Sequence, residues 1–532
     1  MLFWRLGTPT LWDPDEAHYA ETTRELIRGG DWTTPYYNEQ PFFDKPILFH
    51  LFQAVPMSLL GPSELAARLV PALAALALVA VTAWLAAAIV SLDVALVAAL
   101  LLAASPGLFA LARYAILDTT FTALLFGGAS LVTVSALKDR PALQYGGYAL
   151  IALAVLTKGP LAIVLCGLAF GLAMALSSDA RTRLLRLHWI LGLLIVVVSA
   201  APWFLYMWIR WNGAFVQGYV LNENLRLFGQ ALYANQPNWW FYFQILAAGL
   251  LPWTGLLLGR LYDDVRRAIA RRDRPDTFEI LLWAWTISVV GFFTLSKFKL
   301  DHYVFPAAPS LCLICARAWD DVRKRPLEPM NAGARVGLHL VGPLVVAAGS
   351  GAGYFLIARL ELPAAAIIVP VALIVAGALV SVRGNLWLQG PPRVPWIILS
   401  AMTITYAGII LWVMPSLEHR KVVPDIARFV ASRASATDRV ATYRLNRWNT
   451  AFRFYVDRHT EVLDSPDTAR AFFERPEPFY CAMPEPAYEE FVAQGVPLSR
   501  MYMREGMWAT SGRVLWRRRL SPARFVIVTR AP

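Results

Sequence analysis

The sequence predicts a mainly α, polytopic membrane protein with a small α/β domain after its last span. Three observations predict it. The 532 residues are 57% hydrophobic and only 16% charged, a composition that soluble domains of this size rarely show. Apolar runs near the roughly 20 residues that cross a bilayer recur through the chain as far as Met414. Beyond Met414 the sequence turns to mixed charged, Pro-containing and strand-like runs.

Twelve spans are predicted, at 64–89, 94–112, 119–137, 144–157, 160–177, 189–208, 239–259, 278–295, 304–318, 336–357, 364–382 and 395–414. The run PILFHLFQAVPMSLL (46–60) is apolar but carries His50, Gln53 and Pro56, so it reads as interfacial or re-entrant. Residues 1–414 are taken as the membrane domain, with surface helices in an outer loop at 12–63. Residues 415–532 are taken as the α/β domain. Its strand-like runs are RVATYRL (439–445), FRFYVD (452–457), PFYCAM (478–483) and RFVIVT (524–529). Helical patterns fall at 424–435 and 486–495.

The formal charge of +12 invites a nucleic-acid reading, and its distribution argues against one. Arg clusters occupy the short loops 177–188, 259–274 and 317–326, the cytoplasmic signature of the positive-inside rule. The stretch 12–45 holds eight acids against three bases and is assigned to the opposite face. The excess charge therefore orients the chain and need not bind a polyanion. Residues 1–11 are too short to span and are no signal peptide, yet 12–45 must lie outside if the Arg loops lie inside. The expectation is a late-called start codon and a mostly missing first transmembrane helix. Upstream sequencing checks it; a stop codon with no apolar frame would refute it. Of the four cysteines, Cys312 and Cys315 have CxxC spacing inside an apolar span, where packing outweighs a metal or redox role.

Flipping sides at each span collects WDPDEAHYAE (12–21), FFDKP (42–46), RYAILDTT (113–120), the Lys158-Gly159-Pro160 turn and KFKLDHY (297–303) on one face. Ionisable groups at membrane depth are costly and suggest function by default. Each has a plainer reading beside it. Asp13 and Glu16 suit the N-cap and capping box of a helix beginning near Pro14, so capping and catalysis stay open there. Asp118 could be an N-cap and Lys158 a snorkelling anchor. Asn222, Glu223, Asn224 and Arg226 could bind a polar head group or be solvated loop residues. Lys297, Lys299, Asp301, His302 and Tyr303 crowd seven residues on a face where excess Lys opposes the orientation rule, so binding an anion such as a lipid phosphate is the better reading. Carboxylates, phosphate-binding cations and lipid access together suggest transfer of a group from a lipid phosphate. A divalent metal could sit among the acids, although no dense ligand cluster demands one.

At these residues the chain resembles the GT-C glycosyltransferases related to aminoarabinose transferase and, more distantly, the protein O-mannosyltransferases. The resemblance rests on DEAHYAE (15–21), the GDW run at 30–32, the acid-Lys-Pro at 44–46, RYAILDTTFTA, LTKGP, NENLRLF with a later PNWWFY, and KFKLDHYVFPAAP. It covers about residues 1–310. It implies a GT-C fold of about 12–13 transmembrane helices, with Asp15, Glu16 and Asp118 as the catalytic acids. Lys45, His18, Lys297, Lys299 and Tyr303 fall to the donor phosphate, and Asp44, Tyr19, Lys158, Asn224 and Arg226 to the substrate. A metal, if bound, falls to Asp44 and His302. His18 stands where close relatives usually have Arg, and Asp44 where they have Glu, which puts the particular sugar and acceptor in doubt.

The expected function is transfer of a sugar, 4-amino-4-deoxy-L-arabinose or another pentose or hexose, from a polyprenyl-phosphate donor to a lipid or protein acceptor. The expected place is the bacterial inner membrane, with the active site and C-terminal domain periplasmic. A protein O-mannosyltransferase-type enzyme is the alternative. A lipid or sugar transporter would favour broken helices, mid-membrane charges and repeated halves, and a non-catalytic scaffold leaves the charged face unexplained.

Overall fold

The computed structural model describes residues 1–230, 237–270, 275–382, 393–446, 449–507 and 522–531. Residues 271–274, the end of one Arg-rich stretch singled out above, lie outside the described residues. The chain forms two compact units. One comprises Met1–Trp4, Phe43–Phe49 and Val70–Trp412, the other Arg5–Phe42, His50–Leu69 and Val413–Pro532. The outer loop expected to belong with the membrane region thus divides, most of it going to the second unit.

The first unit is helical. Seven helices among the described residues are long and apolar enough to cross a membrane: Glu64–Ile89, Asp118–Leu137, Trp189–Arg226, Thr277–Leu295, Pro329–Arg359, Ala364–Val382 and Arg393–Glu418. Two bent pairs, Leu92–Ala104 with Pro106–Ala112 (63°) and Phe241–Gly249 with Thr254–Ala270 (119°), raise the number to nine. The twelve expected spans each meet a helix, but not each a full span. Leu143–Lys158 and Leu161–Leu176 have 16 residues and Ala308–Lys324 has 17. At 1.5 Å per residue such helices reach only about 24–26 Å, short of a hydrocarbon core of about 30 Å. The run at 46–60 forms a 13-residue helix, Leu48–Leu60, also too short to cross.

At the end of the bundle where the Arg-rich loops fall, arginines are tied to acids. Arg260 is buried and meets both oxygens of Glu279 (2.6 and 2.5 Å), with Asp321 Oδ2 at 2.6 Å. Arg317 reaches Asp276 at 2.6 Å and Arg323 reaches Asp93 at 2.5 Å.

Helix packing in this unit uses a pattern the sequence reading passed over. Gly255 and Gly259 of Thr254–Ala270 face Gly337 and Gly333 of Ala332–Gly353, two small-xxx-small motifs meeting backbone to backbone. A Cβ on Gly259 would fall inside the contact distance of the Gly333 carbonyl oxygen. Gly259→Val is therefore expected to cost about 3 kcal/mol or more, the upper range of overpacking. Thermal melting in detergent measures it. Gly171→Val, at a glycine with open space beside it, serves as the control and is expected to melt like the parent. Equal melting of all three proteins would contradict the packing argument.

The second unit centres on a five-stranded sheet in the order Glu461–Leu463, Arg439–Tyr443, Phe479–Pro484, Pro522–Arg530, Leu498–Met507. The first three strands are parallel and the last two pair antiparallel. The strands expected at 439–445, 478–483 and 524–529 are present. The run at 452–457 is not a strand but the end of helix Asn449–Val456. Its first turn is capped from outside: Asp13 Oδ1 accepts from Ala451 N (2.8 Å) and Thr450 Oγ1 (2.6 Å). Asp13 was read as the cap of the helix that follows it. That helix, Asp15–Gly29, instead has Pro14 at its N-cap position, with no side-chain cap.

Helix Asp15–Gly29 is fixed to helix Asn449–Val456 by buried charges. Arg453 reaches Glu21 (3.1 Å) and Glu25 (2.8 Å), while Arg24 donates to the Phe454 carbonyl (2.7 Å) and to Asp457 (2.5 Å). Glu16 is wholly buried, and both its oxygens accept from Arg68, at 2.7 and 2.8 Å. Arg68 Nη1 and Nη2 also donate to the carbonyls of Leu6, Pro9 and Thr10.

Candidate active site

The site in the first unit is built at helix ends. Asp118 opens helix Asp118–Leu137 and Lys158 closes helix Leu143–Lys158. Forty residues apart in sequence, they form a buried ion pair, Lys158 Nζ donating to Asp118 Oδ1. Lys158 is 8% exposed and Asp118 is 3% exposed, so Lys158 is no snorkelling anchor, and the Asp118 carboxylate is engaged by a charge on a neighbouring helix. Desolvating two such charges costs several kcal/mol per ion, which a bundle has little reason to retain for stability alone.

His302 adds to this pair. Its Nε2 lies 3.7 Å from Asp118 Oδ2 and its Nδ1 3.1 Å from Asp301 Oδ1. Burial and nearby Lys158 work against the imidazolium, but Asp118 and Asp301 outweigh them and hold the His302 pKa above its ordinary value. A raised folded-state pKa gives stability that is complete below the unfolded value, about 6.5, and is lost as pH climbs through the folded value. The melting-temperature gap between wild type and His302→Gln is therefore expected to be widest near about pH 6 and to narrow above about pH 7. A gap independent of pH would remove His302 from the charge balance.

Lys45 forms the second half. Its Nζ lies 2.6 Å from Asp44 Oδ1 and 3.2 Å from Glu223 Oε2. Burial alone would lower its pKa; the two carboxylates more than offset that and raise it. Tyr303 joins the halves. Lys158 Nζ stands 4.6 Å from its ring centroid, and the charges of Lys45, Asp118, Asp44 and Glu223 all act on its hydroxyl. The arrangement is a pair of ammonium groups held by carboxylates around one tyrosine, suited to receiving a phosphate while keeping acids close.

Other expected members sit differently. Lys299 donates to the carbonyl of Thr294 (2.8 Å) and to that of Ser296; it caps the last turn of Thr277–Leu295. Lys297 is exposed. Asn224 Nδ2 donates to the Tyr219 carbonyl (2.7 Å), bracing its own helix, and exposed Arg226 reaches Gln230 (3.1 Å). Asp15, Glu16, His18 and Tyr19 belong to the second unit. There Asp15 is half-buried at the start of its helix, and the His18 ring packs edge-on against Tyr37 (4.8 Å) and Phe42 (4.5 Å). Tyr19 stacks on His50 at 5.7 Å.

The expected metal ligands do not fit a metal centre. Asp44 is engaged with Lys45, His302 with Asp118 and Asp301, and no group of three or more His, Cys, Asp or Glu side chains that could hold an ion occurs among the described residues. Glu223 was read only as one of four loop residues that bind a polar head group or are solvated, not as a partner of Lys45. It lies 178 residues from Lys45, a distance no periodicity bridges; an acid beside Asn222 and Asn224 was the only signal.

Comparison with known proteins gives one match on this region and others over more of the chain. A family model described as dolichyl-phosphate-mannose-protein mannosyltransferase matches residues 44–206, a stretch containing Asp44, Lys45, Asp118 and Lys158. The undecaprenyl phosphate-alpha-4-amino-4-deoxy-L-arabinose arabinosyl transferase 1 of Proteus mirabilis is 32% identical over 359 residues, covering 63% of this chain and 61% of that protein. Its counterpart from Yersinia pestis is 28% identical over 331 residues, covering 60% and 58%. The chain thus spans about three fifths of the length of the curated relatives it matches. In fold it is similar to ArnT from Cupriavidus metallidurans in a crystal structure bound to undecaprenyl phosphate, with TM-score 0.75, 21% identity and coverage of 99% of this chain and 95% of that one. The segment that holds these charged helix ends is thus similar to the dolichyl-phosphate-mannose-protein mannosyltransferases, about three fifths of the chain is similar to the aminoarabinosyl transferases, and the fold of this integral membrane protein is that of ArnT.

Proposed function

We propose that the protein moves a sugar from a polyprenyl-phosphate donor to an envelope acceptor, lipid A foremost, at the periplasmic face of the inner membrane. The relatives named above act with undecaprenyl phosphate-linked 4-amino-4-deoxy-L-arabinose, and that donor is the proposed one. The observation that carries the reading is the linked cluster of Lys45, Asp44, Glu223, Tyr303, Lys158 and Asp118.

In the proposed reaction an acceptor oxygen attacks the anomeric carbon. The bond from that carbon to the donor phosphate oxygen breaks, and its electron pair leaves on the polyprenyl phosphate. Lys45 and Lys158 offset the charge gathering on the leaving phosphate, an effect strongest in a water-poor site. The acceptor's proton passes to a carboxylate of the same cluster, with Asp118 as the candidate.

The test uses purified protein in lipid nanodiscs with sugar-labelled undecaprenyl phosphate and lipid A. Label is expected on lipid A, and Asp118→Asn is expected to lose transfer while still binding donor. Bound donor with no transfer to lipid A or to a protein would overturn the reading. The match of residues 44–206 to the mannosyltransferase family favours a second reading, a hexose passed to a protein hydroxyl, which label on a protein acceptor alone would select.

A further inference from the structure

Tyr219 carries a polar group that the fold leaves unused. The residue is 3% exposed and its hydroxyl has no hydrogen-bond partner. Its polar neighbour Asn224 donates to the Tyr219 main-chain carbonyl (2.7 Å) and acts on the hydroxyl electrostatically without reaching hydrogen-bond geometry. The ring is held firmly: it stacks on Phe215 with centroids 5.3 Å apart and planes 1° apart, and lies 5.7 Å from Phe204. Phenylalanine would meet every one of these apolar contacts. A buried hydroxyl without a partner is a net cost, so packing explains the ring and leaves the oxygen unexplained.

The place of that oxygen is informative. It lies against Gly159, directly after Lys158, where an added Cβ would run into it. Gly159 also has φ +92°, a backbone conformation that L side chains rarely adopt. The chain therefore keeps an opening for the Tyr219 hydroxyl beside the end of the Lys158 helix. Lys45, Asp44 and Glu223 also act on it electrostatically. The hydroxyl thus stands beside the end of the Lys158 helix and within electrostatic reach of the Lys45 trio, the two groups assigned above to the leaving phosphate.

We infer that Tyr219 is a second tyrosine of the donor site, its hydroxyl donating to a phosphate oxygen of the polyprenyl-phosphate lipid between Lys158 and Lys45. This rests on the proposed function and adds a ligand to it. A preset ring loses little freedom on binding, and a hydrogen bond to a charged oxygen is among the stronger kinds.

The experiment measures undecaprenyl phosphate binding to the full-length protein in nanodiscs for wild type, Tyr219→Phe and Lys45→Ala, with melting temperatures and the KM for lipid A. Tyr219→Phe is expected to weaken undecaprenyl phosphate binding about 10-fold or more, with its melting temperature equal to or above wild type and the lipid A KM unchanged. Inorganic phosphate at the same concentration is expected not to displace the lipid. Unchanged binding in Tyr219→Phe with loss in Lys45→Ala would overturn this assignment and leave the proposed function standing. Unchanged binding in both would overturn the two together. A lowered melting temperature in Tyr219→Phe would make the hydroxyl structural, and displacement by inorganic phosphate would make the place a plain anion site; either would reject the inference.

Discussion

Lys45→Ala is expected to lower donor turnover by about 100-fold or more, with the loss in the donor's KM and in kcat and little change in the acceptor's KM. Lys45 stands between Asp44 at 2.6 Å and Glu223 at 3.2 Å. Burial and Asp44 push the Glu223 carboxyl up to about 7 even with Lys45 beside it. Without Lys45, an arriving phosphate meets Asp44 and a protonated Glu223 with no ammonium group between them. Loss of one preorganised charge-stabilising group typically costs 10²–10³-fold in turnover. Lys45→Arg is expected to recover only part of the activity, because a planar guanidinium cannot replace a compact ammonium wedged between two acids. Steady-state kinetics with each lipid varied in turn measure both variants. A Lys45→Ala enzyme with wild-type donor KM would detach Lys45 from the donor.

How much of this was legible in the sequence follows from which signals are local. The placement of Asp118 and Lys158 at helix ends could be read because each sits where an apolar run stops. Which end meets which could not be read. Glu223 with Lys45 depends on where helix Trp189–Phe215 breaks, at Asn212 (φ 42°), a detail that composition does not encode. Lys299 looked like an anion ligand because it lies among polar residues; it turned out to satisfy carbonyls its own helix leaves open, a need every helix C-terminus has. The C-terminal unit was legible strand by strand where apolar runs were continuous. It failed at 452–457, where alternating Phe, Arg and Tyr imitate a strand and the deciding cap, Asp13, lies more than 400 residues away.

The acid beside Asp15 separates structure from chemistry. Glu16→Ala is expected to destabilise the second unit by about 3–5 kcal/mol, the usual cost of removing one partner from a buried ion pair. The cost should be high within that range because Arg68, 1% exposed, would keep its carbonyl contacts to Leu6, Pro9 and Thr10 but lose both charged acceptors. Glu16 also accepts from the Trp12 backbone N–H at 2.9 Å, so the same substitution frees the segment leading into the Asp15 helix. Two variants decide whether Glu16 belongs with the catalytic acids. In Glu16→Ala the melting temperature and the yield should fall, and activity with them. In the double variant Glu16→Leu/Arg68→Met both charges are gone and the volume is largely kept, which buried-pair replacements often tolerate. If Glu16 only positions the loop, the double variant should melt near wild type and recover transfer. A stable double variant with no transfer would return Glu16 to the reaction itself.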